Sequence, residues 1–124
     1  AVLAALGPAE SLTEHDCLRI AAPFGGGIGR LGEACGAVTG AIMALGLRYG
    51  AAAARDPETK TALYERVRDF VARFKARHGS IICRDLLGCD LSTPEGVQQA
   101  KARDTHHTVC TALVRSAIEL AGAV

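Results

Sequence analysis

The sequence has 124 residues, the length of one ordinary domain, and its hydrophobic content of 49% excludes intrinsic disorder. Its 14 basic and 13 acidic residues leave a net charge of +1. This balance argues against nucleic acid as a partner, because a nucleic-acid interface needs a basic excess on one face. The longest apolar window, residues 34–47, is too short to span a bilayer, so we expect a buried core helix there and no membrane span.

The N-terminal part of the chain predicts the end of one helix and a second helix that is complete. Residues 1–6 form the end of the first, which a Gly-Pro pair stops. Ser11 and Glu14 have the spacing of a capping box, in which each side chain satisfies a free amide at a helix start. This spacing predicts a second helix from about Leu12 to Ala22.

A glycine-rich segment separates these helices from the central one. Residues 24–32 carry four glycines within five positions, which a regular helix cannot hold at low cost, so they predict a loop. A Gly-rich central helix is expected from about Leu31 or Gly32 to Tyr49. Gly32, Gly36 and Gly40 would recur on one face of this helix, where a second backbone could come close. That face predicts a possible homodimer core.

The C-terminal half predicts four more helices. Asp56, followed by proline and glutamate, is a strong start for a helix over residues 57–78, where apolar residues recur at helical spacing. Cap residues predict shorter helices over residues 81–87 and 93–103, and a last helix is expected over about 105–120. No alternating strand pattern occurs. The sequence therefore predicts an all-α, single-domain bundle of five to six helices covering residues 1–124.

The cysteines are the residues with the most chemical potential, and there are five: Cys17, Cys35, Cys83, Cys89 and Cys110. The odd number argues against a closed disulfide framework, and no signal peptide is visible, so we expect a cytoplasmic protein with free or metal-bound thiols. Cys35 and Cys83 fall near predicted helix starts, where free amides favour the thiolate and lower the pKa. The alternative for each cysteine is a small buried hydrophobe.

Two histidines precede the last cysteine. Cys110 lies four residues after His106 and three after His107, which on a helix places the side chains on one face and makes a mixed nitrogen and sulfur chelate possible. The alternative, which the sequence favours, is a solvated helix start beside Asp104. No second ligand pair is visible in the spacing.

The segment from Gly27 to Gly32 matches the glycine pattern of dinucleotide sites. Such a site follows a strand, and no strand is predicted here, so we reject a dinucleotide site. Bare amides and Arg30 before a helix could hold an anion. Close packing of the loop against another helix is the favoured alternative.

Longer blocks of sequence carry a resemblance that covers nearly the whole chain. They read PFGGGIGR at 23–30, GEACGAVTG at 32–40, LGLRYG at 45–50, GSIICRDLLG at 79–88 and DLSTPEG at 90–96, with a cysteine in the last helix. This pattern resembles the bacterial and archaeal C_GCAxxG_C_C family, which is named for its four cysteines. The second, third and fourth match Cys35, Cys83 and Cys110. Ala1-Val2-Leu3 resembles the residues that follow the first, so that cysteine is expected before Ala1.

The resemblance implies an all-helical fold in which cysteines from separate helices come together. Members of the family are suspected of redox activity or of binding an iron–sulfur cluster, and a related helical domain occurs beside haem in a cytochrome with a split Soret band. A metal site would use Cys35, Cys83 and Cys110, and Cys89 or His106 would complete the ligand set. Four thiolates suit an iron–sulfur cluster or zinc.

Three hypotheses follow from these observations. The first is an electron-transfer or metal-binding module with an unidentified redox partner. The second is a protein without metal in which two cysteines cycle between dithiol and disulfide. The third is a non-catalytic helical assembly module with buried cysteines. Whether the protein is an enzyme stays open.

Overall fold

The structure is a computed structural model that describes residues 1–124. Its seven α-helices are α1 Val2–Leu6, α2 Glu14–Ala21, α3 Gly36–Tyr49, α4 Pro57–His78, α5 Cys83–Leu87, α6 Pro94–Arg103 and α7 Thr111–Ala123. Two 3₁₀ turns, Gly7–Glu10 and Ala22–Phe24, and one π-helical turn, His106–Cys110, lie between them. No strand forms, and the only β-bridge joins Ala34 to Ile82. The predicted all-α class is confirmed, with slightly more helices than expected.

The core surrounds α3, which contacts α1, α4 and α7. Helix α3 contributes Val38, Ala41 and Leu45 to the core, and α4 contributes Phe70 and Phe74, both fully buried. Nearly every face of α3 is apolar because helices cover it on several sides. None of the helices is both long and apolar enough to cross a membrane.

Locally capped helices begin where the sequence predicts. The Asp56 carboxylate accepts a hydrogen bond of 3.1 Å from the amide of Glu58, and α4 ends at Gly79 with φ of 88°. The hydroxyl of Thr93 accepts a hydrogen bond of 3.0 Å from the amide of Gly96 at the start of α6. Helix α7 ends later than expected, at Ala123, and a π-helical turn replaces its predicted first turn.

The capping box predicted for the second helix is wrong. Thr13, not Ser11, caps α2, and its hydroxyl accepts a hydrogen bond of 3.1 Å from the amide of Asp16. Ser11 has φ of 71° and closes the preceding 3₁₀ turn with its backbone amide. Because Ser11 ends that 3₁₀ turn in a left-handed conformation, it cannot cap α2, and the α-helix begins only at Glu14.

The predicted start of the central helix is also wrong. Helix α3 begins at Gly36, and Gly32, with φ of 70°, lies in the loop before it. The glycine face expected for a homodimer therefore does not exist as one helix face. A Cβ on Gly36 would lie 3.3 Å from the carbonyl oxygen of Phe24, and one on Gly40 would lie 3.2 Å from Cβ of Val2. The missing side chain at each of these glycines therefore lets another segment of the same chain pack closely against α3.

Candidate functional site

Cys35 and Cys83 are held together by the single β-bridge. The amide of Cys35 donates a hydrogen bond of 2.8 Å to the carbonyl of Ile81, and the amide of Cys83 donates one of 2.6 Å to the carbonyl of Glu33. Around the Ala34–Ile82 pair these two cysteines are diagonal neighbours, so their side chains leave the bridge on one side. Helices α3 and α5 begin at or directly after them.

A cavity of about 370 Å³ lies beside this bridge. Cys35, Cys83 and Cys110 all line it, and so does His106. Its remaining walls are mostly apolar and include Phe24, Leu86, Leu87, Leu91, Leu113 and Val114. Three thiols from separate parts of the chain therefore share one apolar cavity.

The glycine-rich loop closes one side of the cavity with an unusual backbone. The five residues from Gly26 to Arg30 all have positive φ, between 54° and 71°. A Cβ on Gly27 would lie 2.6 Å from Cβ of Cys83, so only glycine fits this position. Ile28 and Arg30 adopt the same left-handed conformation at a steric cost. The favoured expectation of close loop packing agrees with this arrangement.

The other two cysteines lie in different surroundings. Cys89 is buried and packs in a small cluster with Cys83 and Leu87, against which Cys110 also lies. Cys17 is fully buried beneath Gly7 and packs with Leu3 in a separate cluster that does not include the other cysteines. Cys17 is therefore the small buried hydrophobe that a free cysteine often is.

With this arrangement in place, a comparison with family models identifies the chain. The family described as "Putative redox-active protein (C_GCAxxG_C_C)" matches residues 1–124. The chain belongs to the C_GCAxxG_C_C family. Comparison with curated proteins and with solved structures finds no match.

The family description does not say how these thiols react, but their electrostatics do constrain them. The lowered thiol pKa predicted for Cys35 and Cys83 is wrong. Burial raises the pKa of Cys35, although the amides of Ala37 and Val38 at the start of α3 act in the opposite direction. Burial raises the pKa of Cys83 to about 11, and the charges of Cys35, Cys110 and Cys89 add to the effect.

Cys110 behaves like Cys83. Burial raises its pKa, and the charges of Cys35 and Cys89 add to the effect. At Cys83, desolvation outweighs the helix dipole because the thiol is buried and α5 has only five residues to generate a dipole. A thiolate at Cys35 raises the pKa of both Cys83 and Cys110. The amides of Ala37 and Val38 act on Cys35, so it is the one of these three thiols whose thiolate α3 favours.

His106 and His107 lie side by side, with their ring centroids 5.1 Å apart, and both are exposed. His106 lines the cavity, as Cys110 does. Nδ1 of His107 lies 2.9 Å from Oδ1 of Asp104. The exposure of both histidines agrees with the solvated helix start that the sequence favours.

The cysteines suit a soft metal by their chemistry, since thiolates select zinc or iron–sulfur clusters. No three cysteine, histidine, aspartate or glutamate side chains are arranged to hold one metal ion, however. The residues therefore do not fit a single metal ion.

Sequence reasoning missed two residues at the cavity. Thr105 is buried and lines it, and Lys101 lies on the surface beside it. Neither carries a sequence signal, because both belong to helical segments whose faces only the tertiary packing assigns.

Proposed function

We propose that this member of the C_GCAxxG_C_C family is a thiol redox protein in which Cys35 and Cys83 cycle between dithiol and disulfide. The observation that carries the proposal is the β-bridge, which holds both cysteines on one side of a shared apolar cavity. The family description, which names redox activity, supports the general class.

The reaction is an exchange with a disulfide substrate. Cys35 attacks as the thiolate, forms a mixed disulfide with one substrate sulfur and releases the other as a thiol. Cys83 then loses its proton and attacks the Cys35 sulfur, which releases the second substrate thiol. One substrate disulfide is reduced to two thiols, two protein thiols are oxidised to one disulfide, and their two protons leave on the products.

The order of attack follows from the charges. Burial keeps the pKa of Cys83 high, and the charge of a Cys35 thiolate raises it further. The mixed disulfide removes that charge, so its contribution to the raised pKa of Cys83 is lost when the Cys83 thiolate is needed. The charges of Cys110 and Cys89 also raise the pKa of Cys83, and both thiols stay reduced in this cycle.

The experiment is trapping of the mixed disulfide with dithionitrobenzoate (DTNB), read by thionitrobenzoate release and intact mass. We expect Cys83→Ser to keep one thionitrobenzoate adduct on Cys35, whereas the unmodified protein loses that adduct and gains a Cys35–Cys83 disulfide. Cys17→Ala, which changes a cysteine far from the cavity, is the matched control and behaves like the unmodified protein. Loss of the adduct from Cys83→Ser as well would overturn the pair.

A second candidate is metal binding, favoured by the number of thiols: Cys35, Cys83, Cys110 and Cys89 lie within electrostatic reach of one another. An iron–sulfur cluster or zinc with His106 as an additional ligand belongs to this candidate, and an iron–sulfur cluster would supply electron transfer. Iron, zinc and acid-labile sulfide in protein purified anaerobically provide the test. Metal that Cys83→Ser removes and Cys17→Ala retains favours this candidate over the dithiol.

The remaining expectations belong to the same proposal. Free thiols persist in a reducing compartment, so we place the protein in the cytoplasm with a disulfide-bearing redox partner. A homodimer stays a prediction, and sedimentation at several concentrations tests it.

A further inference from the structure

We propose that the cavity binds an organic anion with an apolar body, whose negative group is held at the mouth by Arg30 and Lys101. The proposal rests on the proposed function only for the reaction at Cys35. Binding itself depends on the walls and mouth of the cavity.

The mouth is a second depression that adjoins the cavity. It has a volume of about 330 Å³ and shares with the cavity Arg30, Leu91, Ala100, Thr105 and His106. A group held in the depression therefore lies next to residues that also line the cavity. A ligand that spans both needs a polar end for the depression and an apolar body for the cavity.

The charges at the mouth favour an anion. Arg30 and Lys101 both line it, and neither takes part in a salt bridge. The only carboxylate that lines it is Asp104, which is hydrogen-bonded to His107 at 2.9 Å. Two free cations thus face one carboxylate that already has a partner, and this leaves an excess of positive charge.

The backbone fixes Arg30 at this place. Arg30 has φ of 64°, at the end of the left-handed segment, although it is not glycine. A Cβ on Gly26 would lie 2.7 Å from Cγ of Arg30, so the side chain packs directly over this glycine. The amide of Arg30 donates a hydrogen bond of 3.1 Å to the carbonyl of Gly25. A strained segment that positions an unpaired cation over a cavity is a feature that functional sites retain.

In the proposed reaction, the apolar cavity and the cations at its mouth favour disulfides that carry both an apolar group and a carboxylate. The carboxylate would lie at Arg30 and Lys101 while the sulfur atoms reach Cys35. Such a substrate is attracted by the cations at the mouth and also buries its apolar group against the cavity walls. A neutral disulfide has only the apolar contact.

The experiment compares two aromatic disulfides that react by the same exchange, DTNB, which carries carboxylates, and dithiodipyridine, which is neutral. We expect Arg30→Gln to slow the reaction of Cys35 with DTNB by about threefold, the size of an exposed charge interaction, and to leave dithiodipyridine unchanged. Lys101→Gln gives the same selective loss. Arg115→Gln, an exposed cation on α7 away from the cavity, is the control and changes neither rate.

Two further measurements separate the contribution of charge from that of the apolar body. The difference between the two reagents should disappear at about 1 M salt, because screening shortens the range of the attraction. Hexanoate should slow the DTNB reaction more than acetate at equal ionic strength, since only hexanoate has an apolar body. Equal protection by both anions would overturn the apolar part of the proposal.

Other outcomes are equally decisive. Slowing of both reagents by Arg30→Gln would make Arg30 a structural residue, and no slowing of either would remove it from recognition. Because only the first attack of Cys35 is timed, these results do not depend on Cys83. Failure of the Cys83→Ser trap would overturn the redox pair and leave this measurement intact, and Cys35→Ser confirms which thiol is read.

Discussion

Cys35 and Cys83 lie diagonally across the only β-bridge of an otherwise helical protein, the first hydrogen-bonded to Ile81 and the second to Glu33. Each cysteine stands where a helix begins, so the bridge sets the positions of both helix starts and both thiols at once. The left-handed loop then covers the pair from one side, with Gly27 against Cys83. The site is therefore built by backbone contacts between distant segments.

Gly27 offers a direct test of this arrangement. Gly27→Ala would place a methyl group 2.6 Å from Cβ of Cys83, at a φ of 71° that alanine adopts at a cost. We expect a loss of about 1–3 kcal/mol in the free energy of unfolding, measured with urea. Because the loop must shift, the rate of Cys83 alkylation should also rise.

Gly46→Ala is the matched control for that substitution. A Cβ on Gly46 meets nothing within 4 Å, and Gly46 lies inside α3. Alanine should therefore stabilise the protein by up to about 1 kcal/mol through helix propensity. A loss of stability in both variants would show that the Gly27 result reflects any added methyl group and not the contact with Cys83.

The raised thiol pKa values predict a loss of stability at alkaline pH. In the folded protein the pKa of Cys83 lies at about 11, against an ordinary value of 9.0. Between these values the unfolded chain has released the proton and the folded protein retains it, so the free energy of unfolding falls as pH rises. Urea midpoints under anaerobic reducing conditions at pH values below 9 and above it measure this.

The variant Cys83→Ala isolates the Cys83 contribution. It removes the most strongly shifted thiol, and it also removes a charge that interacts with Cys35 and Cys110. We expect a shallower pH dependence in this variant than in the unmodified protein. An unchanged slope in Cys83→Ala would mean that the thiol ionises equally in both states.

The sequence predicts the boundary of a helix when the residues that cause it lie close to it in the chain. The starts of α4 and α6 follow from caps within a few residues, Asp56 and Thr93, and the sequence predicts both. The start of α3 depends on the pairing of residues 33–35 with residues 81–83, which are distant in sequence. A helix pattern alone could not place that boundary.

The same distinction holds for the site. The family resemblance selects Cys35, Cys83 and Cys110, and the structure brings these three to one cavity. The lowered pKa predicted for Cys35 and Cys83 is wrong because a helix start is visible in the sequence, whereas the burial that outweighs it is not. Lys101 escaped notice because nothing local connects it to a cavity.

A second pH dependence, at acidic pH, arises at the end of α4. Nε2 of His78 is buried without a hydrogen-bond partner, and its ring lies 4.7 Å from that of Phe74. Burial, and then the charge of Arg77, lowers the pKa of His78. The unfolded chain therefore takes up the proton first, and stability falls as pH decreases below about 6.5.

The variant His78→Phe keeps the ring packing and has no polar atom to bury. It should flatten the stability between about pH 7 and pH 5 and raise the free energy of unfolding by about 1 kcal/mol. His15→Phe, which makes the same substitution at an exposed histidine of α2, is the matched comparison. If His78→Phe retained the full acid dependence, the titrating group would lie elsewhere.

Oxidation of Cys35 and Cys83 should stabilise the fold measurably. A disulfide between them closes a loop of about 48 residues, which in the chain-entropy account is worth up to about 4 kcal/mol. Diagonal neighbours across an antiparallel bridge have Cα atoms about 7–8 Å apart, slightly beyond the usual disulfide range, so the two segments must approach each other on oxidation. Part of this stabilisation is therefore lost as strain.

Urea unfolding of the oxidised and of the reduced protein measures the difference in the free energy of unfolding. Cys83→Ser treated with the same oxidant should show no such difference. A less stable oxidised form would mean that strain exceeds the entropic gain, so that the disulfide is a strong oxidant and the dithiol is the resting state.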